Sequence, residues 1–172
     1  VNDFSKDNSW EIIKKISREF NFVKGIDLNH NVGQHGAIFV GLKYSIGNRV
    51  IMMDDDLQHP PQSLISIYDQ LDSFDACYTL YLKRKHVTWK IIVSYINNIF
   101  SSFIFNKPFK IYTSSMKGIR GEIKNSFIDN NPRIISLDSL ILRVAKNVTN
   151  IKVNHQERFE GKSNYDVKRL FI

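Results

Sequence analysis

The sequence predicts an α/β fold built on a mostly parallel sheet. Segments with apolar residues at helical spacing alternate with short apolar runs, at residues 49–53 and 76–80, that are too brief for helices. Glycine and proline fall between them, at Gly47 and Pro60-Pro61. Strands that follow one another through helices need crossover connections, which favours strands running the same way with helices covering the sheet.

Asn8 with Glu11 three residues later reads as a capping box for a surface helix over residues 9–20, carrying Ile12, Ile13, Ile16 and Phe20 on one side. A short strand is expected over 23–28, then a helix from Gly33 that bears Ala37, Val40, Gly41 and Tyr44 and stops at Gly47. Arg49 to Met53 reads as a buried strand running directly into Asp54-Asp55-Asp56. Pro60 and Pro61 suit the first turn of a helix bearing Leu64, Tyr68 and Leu71, and a strand follows over 76–80.

From His86 to Phe105 the apolar stripe is so broad that little of the helix is polar, and Lys83-Arg84-Lys85-His86 precedes it. Core packing, a partner, and a membrane interface all remain open for it. A strand over 111–116, a helix through Ile119, Ile123 and Phe127 stopped by residues 129–132, a helix through Leu137 to Val144, and a strand over 150–153 complete the order. The tail over 155–165 is polar and charged.

The 172 residues suffice for one domain, and 42% apolar content argues against disorder. Twenty-four Lys and Arg against 17 Asp and Glu leave +7, which suits anionic partners. No reading helix, RNA-binding aromatic motif or paired-cysteine zinc spacing accompanies that charge, so nucleic acid is not an expected partner. The longest apolar run, Val50 to Met53, is far short of a bilayer span. One cysteine, Cys77, lies in an expected strand and reads as a buried, reduced thiol. The chain reads as starting inside a domain; a small complete protein with frayed ends is the alternative.

Three successive carboxylates at the end of a buried strand repel one another, and a cation relieves that cost. In extended backbone Asp54 and Asp56 point to one face and Asp55 to the other. Oxygen ligands suit Mg²⁺ or Mn²⁺, which bridge carboxylates to a diphosphate. The alternative is an acidic turn with no ligand. Asp3 and Asp7 belong to the same expected sheet edge, where a nucleotide fits. The glycine spacings of a P-loop or dinucleotide fingerprint, a Gly-x-Ser-x-Gly elbow and a His-Glu-x-x-His motif do not occur. His30, His35 and His59 are too scattered to define a metal cluster.

Three segments, Val1-Asn2-Asp3-Phe4-Ser5-Lys6-Asp7, Asn31-Val32-Gly33-Gln34-His35-Gly36-Ala37 and Met53-Asp54-Asp55-Asp56-Leu57-Gln58-His59-Pro60-Pro61, together resemble family 2 glycosyltransferases. With His155 to Tyr165 as a fourth motif, the chain is most similar to the branch that glycosylates polyprenyl phosphates, such as dolichyl and undecaprenyl phosphate. The resemblance implies a GT-A nucleotide-diphospho-sugar transferase fold, with residues 1–172 forming one catalytic domain that lacks its first strand and any C-terminal transmembrane region.

It further implies donor-binding roles for Asp3 at the base, Asn31 in the second motif and Gln58 near the sugar or phosphate, with Asp54 and Asp56 bracketing a metal-bound diphosphate. Arg158 and Ser163 are implied near the donor or acceptor phosphate. Arg84 is a further phosphate candidate, because guanidinium forks match phosphate oxygens. Ser94 and Arg120 match polar positions of the branch. Phe4 replaces the family's usual small turn residue, His30 stands where Arg is common, and Asn164 where Lys, Arg or Gly is usual.

The function expected from this resemblance is metal-dependent, inverting transfer of a sugar from a nucleotide diphosphate sugar to a polyprenyl phosphate. Its expected location is the cytoplasmic face of a membrane, in cell envelope polysaccharide biosynthesis, with the chain itself soluble or peripheral. A homo-oligomer stays open. A saccharide hydroxyl acceptor would need a carboxylate base, and Asp138 is the candidate. The remaining alternative is a noncatalytic nucleotide-sugar binding module.

Overall fold

The structure is a computed structural model that describes residues 1–56, 59–81, 111–129 and 136–153. The expected helix over 86–105 and the polar tail lie outside these residues. The order of elements is α1 (Ser9–Glu19), α2 (Gly33–Tyr44), β1 (Arg49–Met52), α3 (Gln62–Gln70), β2 (Ala76–Tyr81), β3 (Lys117–Arg120), α4 (Gly121–Ile128), α5 (Leu137–Val144) and β4 (Val148–Val153).

The four strands form one sheet in the order β1-β3-β2-β4. β2 and β4 pair in parallel over Ala76↔Val148 to Tyr81↔Val153. β3 is antiparallel to both its neighbours, with Met52↔Lys117 on one side and Tyr78↔Lys117 on the other. β1, β2 and β4 therefore run the same way and β3 runs against them, so the sheet is mixed. The expectation of a mostly parallel sheet holds for strand direction but not for pairing.

Period-two alternation divides the core between the two faces of the sheet. Met52, Ala76, Tyr78 and Ile119 join Leu42 of α2, Ile123 and Phe127 of α4, and Leu137 and Ile141 of α5 in the larger cluster. Cys77 and Met116 face the other way, against Ile67 and Leu71 from α3. Gly118 is required there, because a Cβ at that position would stand 2.3 Å from Ile67 Cγ2. Helices on both faces match the predicted α/β layering.

Several boundaries differ from expectation for identifiable reasons. The strand expected over 111–116 begins only at Lys117: a side chain takes the Tyr112 backbone groups, and among the described residues the Met116 carbonyl alone meets β2, accepting from the Thr79 N–H at 3.2 Å. Asn150 Oδ1 accepts from the Tyr112 N–H at 2.9 Å, its Nδ2 donates to the Tyr112 carbonyl at 2.8 Å, and Ser114 Oγ accepts from the Thr79 N–H at 3.1 Å. The expected strand over 23–28 reduces to a single parallel bridge, Asn2↔Asp27. No capping box forms at α1: Asn8 makes no side-chain cap, Glu11 pairs with Lys14 at 2.6 Å, and Asp7 Oδ1 accepts from the Ser9 N–H at 3.0 Å. β4 begins two residues earlier than expected, at Val148. Cys77 is fully buried as expected, and burial pushes its thiol up to about 11.

Two residues near the amino end adopt positive φ, Gly33 at +78° and Phe4 at +59°. The left-handed region costs an L-residue about 1–2 kcal/mol, a cost that Phe4 bears and glycine would avoid. A Cβ on Gly33 would meet nothing within 4 Å, so its penalty would be conformational alone. Gly33→Ala is therefore expected to lower unfolding free energy by about 1 kcal/mol. Phe4→Gly should raise it by about 0.5 kcal/mol, because relief of strain exceeds the entropic cost of the new glycine. Chemical denaturation of both variants checks the opposite signs.

Candidate active site

Asp54 lies just beyond the carboxyl end of β1. The Met52↔Lys117 register, continued by two residues, sets it opposite Ser115. Its carboxylate is half-buried and is approached from three separate parts of the chain. Gln34 Nε2, in the first turn of α2, donates to Oδ1 at 2.6 Å. The buried His59 imidazole stands 3.9 Å from Oδ2, at ion-pair rather than hydrogen-bond range. The His59 side chain first, then Ser115 and Gln34, outweigh the burial that opposes them and hold the Asp54 carboxyl below its ordinary value. The site thus keeps an anion at the strand end. Asp55 beside it is exposed and Asp56 half-buried. Among the described residues no three His, Cys, Asp or Glu side chains converge as a metal cage.

Asp3 reaches the same region from the amino end. Its Oδ1 accepts from the Val32 N–H at 2.7 Å, and its carbonyl accepts from Asn31 Nδ2 at 3.0 Å. Val32 is the N-cap residue of α2, whose first N–H groups have no partner within the helix. Asp3 therefore caps α2 through one carboxylate oxygen. The chain before it is fixed by Asn2, whose N–H donates to the Ile26 carbonyl at 2.7 Å and whose Nδ2 donates to Asp27 Oδ1 at 2.7 Å. Asp3, Asn31 and Asp54 are thereby gathered around one helix end. Asp7 serves α1 instead.

Asp138, in the first turn of α5, sits in a different arrangement. The Lys117 ammonium pairs with its Oδ1, and the Tyr78 hydroxyl donates to that same oxygen at 3.2 Å. Lys117 is 4% exposed and Tyr78 fully buried, with the ammonium 5.3 Å from the Tyr78 ring centroid. Burial, followed by the nearby Asp138 charge, pushes the Tyr78 hydroxyl well above its usual range. This carboxylate is committed to a buried cation.

Arg120 lies at the opposite end of the sheet, paired in register with Arg49 at the start of β1. Five residues of extended chain, roughly 15 Å, separate Arg49 from Asp54. The Arg120 guanidinium donates to the Leu71 carbonyl at 2.8 Å and the Asp72 carbonyl at 2.5 Å, which makes it a tie between β3 and the end of α3. A cavity of about 490 Å³ opens at that end, lined by Asn48, Arg49, Asp72, Arg120, Glu122 and Lys124. It is remote from the acidic junction. Gln58, Arg84, Ser94, Arg158 and Ser163 lie outside the described residues.

With that geometry in place, comparison with known proteins decides the family. Residues 1–127 match the family described as glycosyl transferase family 2. The chain belongs to this family. It is 30% identical, over 99% of its length, to undecaprenyl-phosphate 4-deoxy-4-formamido-L-arabinose transferases of Salmonella paratyphi B and Salmonella newport. The chain spans about half of those relatives, 53% of their length.

Two solved structures share the fold. The S. aureus TarS 1–349 structure aligns with a TM-score of 0.54 and 19% identity, covering 89% of this chain and 48% of that one. The glucosyl-3-phosphoglycerate synthase of Mycobacterium tuberculosis, in complex with phosphoglyceric acid, gives 0.56 and 14%, covering 98% and 61%. The fold is that of the GT-A glycosyltransferases, as the motifs implied.

Gln34, a partner of Asp54, lies within the motif over 31–37, but nothing in its sequence position marked that contact. Lys117 was also not legible, its signal being a lone lysine flanked by Met116, Gly118 and Ile119.

Because the folded-state Asp54 carboxyl is depressed, the folded protein binds fewer protons than the unfolded chain just below the ordinary aspartate value of about 3.9. Its contribution is present above that value and is lost as pH falls through the folded one. Urea denaturation from pH 6 to pH 3 should show a decline that is smaller in His59→Phe. Lys117→Met should cost about 3 kcal/mol by leaving Asp138 without its cation, and adding Asp138→Leu should recover most of that loss. A double-mutant cycle on unfolding free energy measures the coupling.

Proposed function

We propose that the protein carrying this domain transfers a sugar, with inversion at the anomeric carbon, from a nucleotide diphosphate sugar to a polyprenyl phosphate. The observation that carries the donor half is the Asp54 carboxylate, kept anionic at the strand end and gathered with Asp3 and Asn31 at the start of α2. In this reading Asp3 and Asn31 serve the nucleotide end and Asp54 the diphosphate end. The acceptor class follows the activity named for the curated relatives, which align along nearly the whole chain.

Asp54 and Asp56 are hard oxygen donors on a short segment, and they fit Mg²⁺ or Mn²⁺. Mg²⁺ in particular is commonly held by one or two carboxylates, with phosphate and water oxygens completing its shell. When bound, such an ion supplies positive charge to the departing diphosphate. The protein's own task is to hold Asp54 ionised and oriented, with Gln34 on one oxygen and His59 near the other. An acceptor phosphate oxygen then forms its bond to the anomeric carbon as the bond from that carbon to the donor diphosphate breaks. Arg84, Arg158, Ser163 and Gln58 are proposed around the phosphates and sugar on the strength of the motifs.

Asp138 favours the phosphate acceptor over a saccharide hydroxyl. A hydroxyl needs a base to take its proton, and the candidate carboxylate is already engaged by Lys117 and Tyr78. A phosphate arrives as an anion and needs none. Among the described residues no helix is long and apolar enough to cross a membrane. Work at the cytoplasmic membrane face is part of the proposal and rests on the lipid acceptor.

A turnover screen of the full-length protein tests this reading, with several nucleotide sugars against polyprenyl phosphate and saccharide acceptors, with and without Mg²⁺ or Mn²⁺. Metal-dependent transfer to polyprenyl phosphate is expected, and Asp54→Asn should reduce it by roughly 100-fold or more. Transfer to a saccharide alone would sink the acceptor assignment. Donor binding without turnover on any acceptor would sink the enzyme.

A further inference from the structure

Residues 31–34 touch both ends of the proposed donor site within four positions. Asn31 donates to the Asp3 carbonyl, and the Val32 N–H donates to the Asp3 carboxylate. Gly33 turns the chain at φ +78° into α2, and Gln34 then donates to Asp54 at 2.6 Å. The sequence separations are 28, 29 and 20 residues, so these bonds fix parts of the chain that no local geometry brings together. A positive φ at the middle residue sends the bonds before and after it to different partners.

We propose that residues 31–34 act as a brace between the nucleotide end and the diphosphate end of the site, in which Gln34 is the positioning residue that sets the Asp54 carboxylate for a divalent cation. The assignment rests on the donor reading given above. A carboxylate on a short loop can rotate about χ1 and χ2, and a cation selects only the orientations that direct a lone pair at it. Gln34 occupies Oδ1 with one N–H and so restricts that rotation before the ion arrives. An amide suits this purpose, since it donates without adding a charge that would compete with the metal. The same helix start is capped by Asp3, so a ligand that moves the Asp3 segment also moves the base from which Gln34 reaches.

Outer hydrogen-bond partners of metal ligands commonly contribute 10- to 100-fold to metal affinity. Gln34 is exposed, which places its expected contribution at the lower end, about tenfold. The test is a Mn²⁺ titration of the full-length protein, followed by loss of the free-ion paramagnetic resonance signal, alone and with UDP, GDP or CDP. Wild type should bind Mn²⁺ more tightly with one of these nucleotides, and Asp54→Ala should abolish that binding. Gln34→Ala and Gln34→Met should both weaken it about tenfold with little change in thermal midpoint. Gln34→Met keeps the side-chain bulk, so its agreement with Gln34→Ala identifies the missing N–H as the cause.

Mn²⁺ affinity within twofold of wild type in both variants, with Asp54→Ala still inactive in binding, overturns the brace and leaves the donor reading standing. Wild-type protein that binds no Mn²⁺ with any of the nucleotides overturns both. A weakened Gln34→Ala beside an unaffected Gln34→Met also overturns it, because bulk rather than hydrogen bonding would then be responsible.

Discussion

A lysine ammonium buried in the middle of a sheet has to find an anion, and Lys117 finds Asp138. Lys117 occupies the strand that runs against its neighbours, opposite Met52 on one side and Tyr78 on the other. Its side chain emerges on the face covered by α2, α4 and α5, where the alternative to an ion pair is an uncompensated charge in the larger core. The pairing fixes the first turn of α5 over β2 and β3. It also gives the deeply buried Tyr78 hydroxyl an acceptor, so a single carboxylate oxygen serves two buried donors. That carboxylate is part of the framework.

The acidic junction follows a contrasting logic. Its carboxylate stands at the rim of the sheet and is held by neutral or weakly basic groups: an amide, a hydroxyl and an imidazole at longer range. None is a permanent cation like Lys117, so the negative charge of Asp54 is stabilised without being cancelled. One fold thus holds two aspartates, the first neutralised by a buried lysine and the second kept as an uncancelled anion. The difference arises from which side chains each carboxylate meets.

Much of this was legible in the sequence. The α/β class, the helices α1 to α5 (except that Ile119, expected in α4, lies in β3), the strands β1 and β2, and the placement of Asp54 at a strand end all follow from periodicity and punctuation. The resemblance of Asn31 to Ala37 to a family motif singled out that segment, and the structure joins it to Asp3. What could not be read was pairing. Nothing local says that β3 inserts between β1 and β2, because a run of Lys, Gly, Ile and Arg shows neither a clear apolar alternation nor a direction. Residues 111–116 looked like a strand by composition but are bound through the side chains of Asn150 and Ser114, contacts made across more than 30 positions. The capping box failed because Glu11 meets Lys14 on the next helical turn, an equally local choice that the pattern did not rank. Phe4 was legible as an anomaly, and it adopts a positive φ, a conformation that favours glycine.

Cys77 offers a different kind of consequence. The one cysteine of this chain is fully covered between the sheet and α3, and its thiol is held near 11, so in the native state almost none is present as the reactive thiolate at neutral pH. Alkylation by a small reagent must then wait until α3 lifts from the sheet or the whole domain opens. That makes the thiol an internal clock for opening events, one that needs no engineered label and reports from the face of the sheet opposite the Lys117 ion pair.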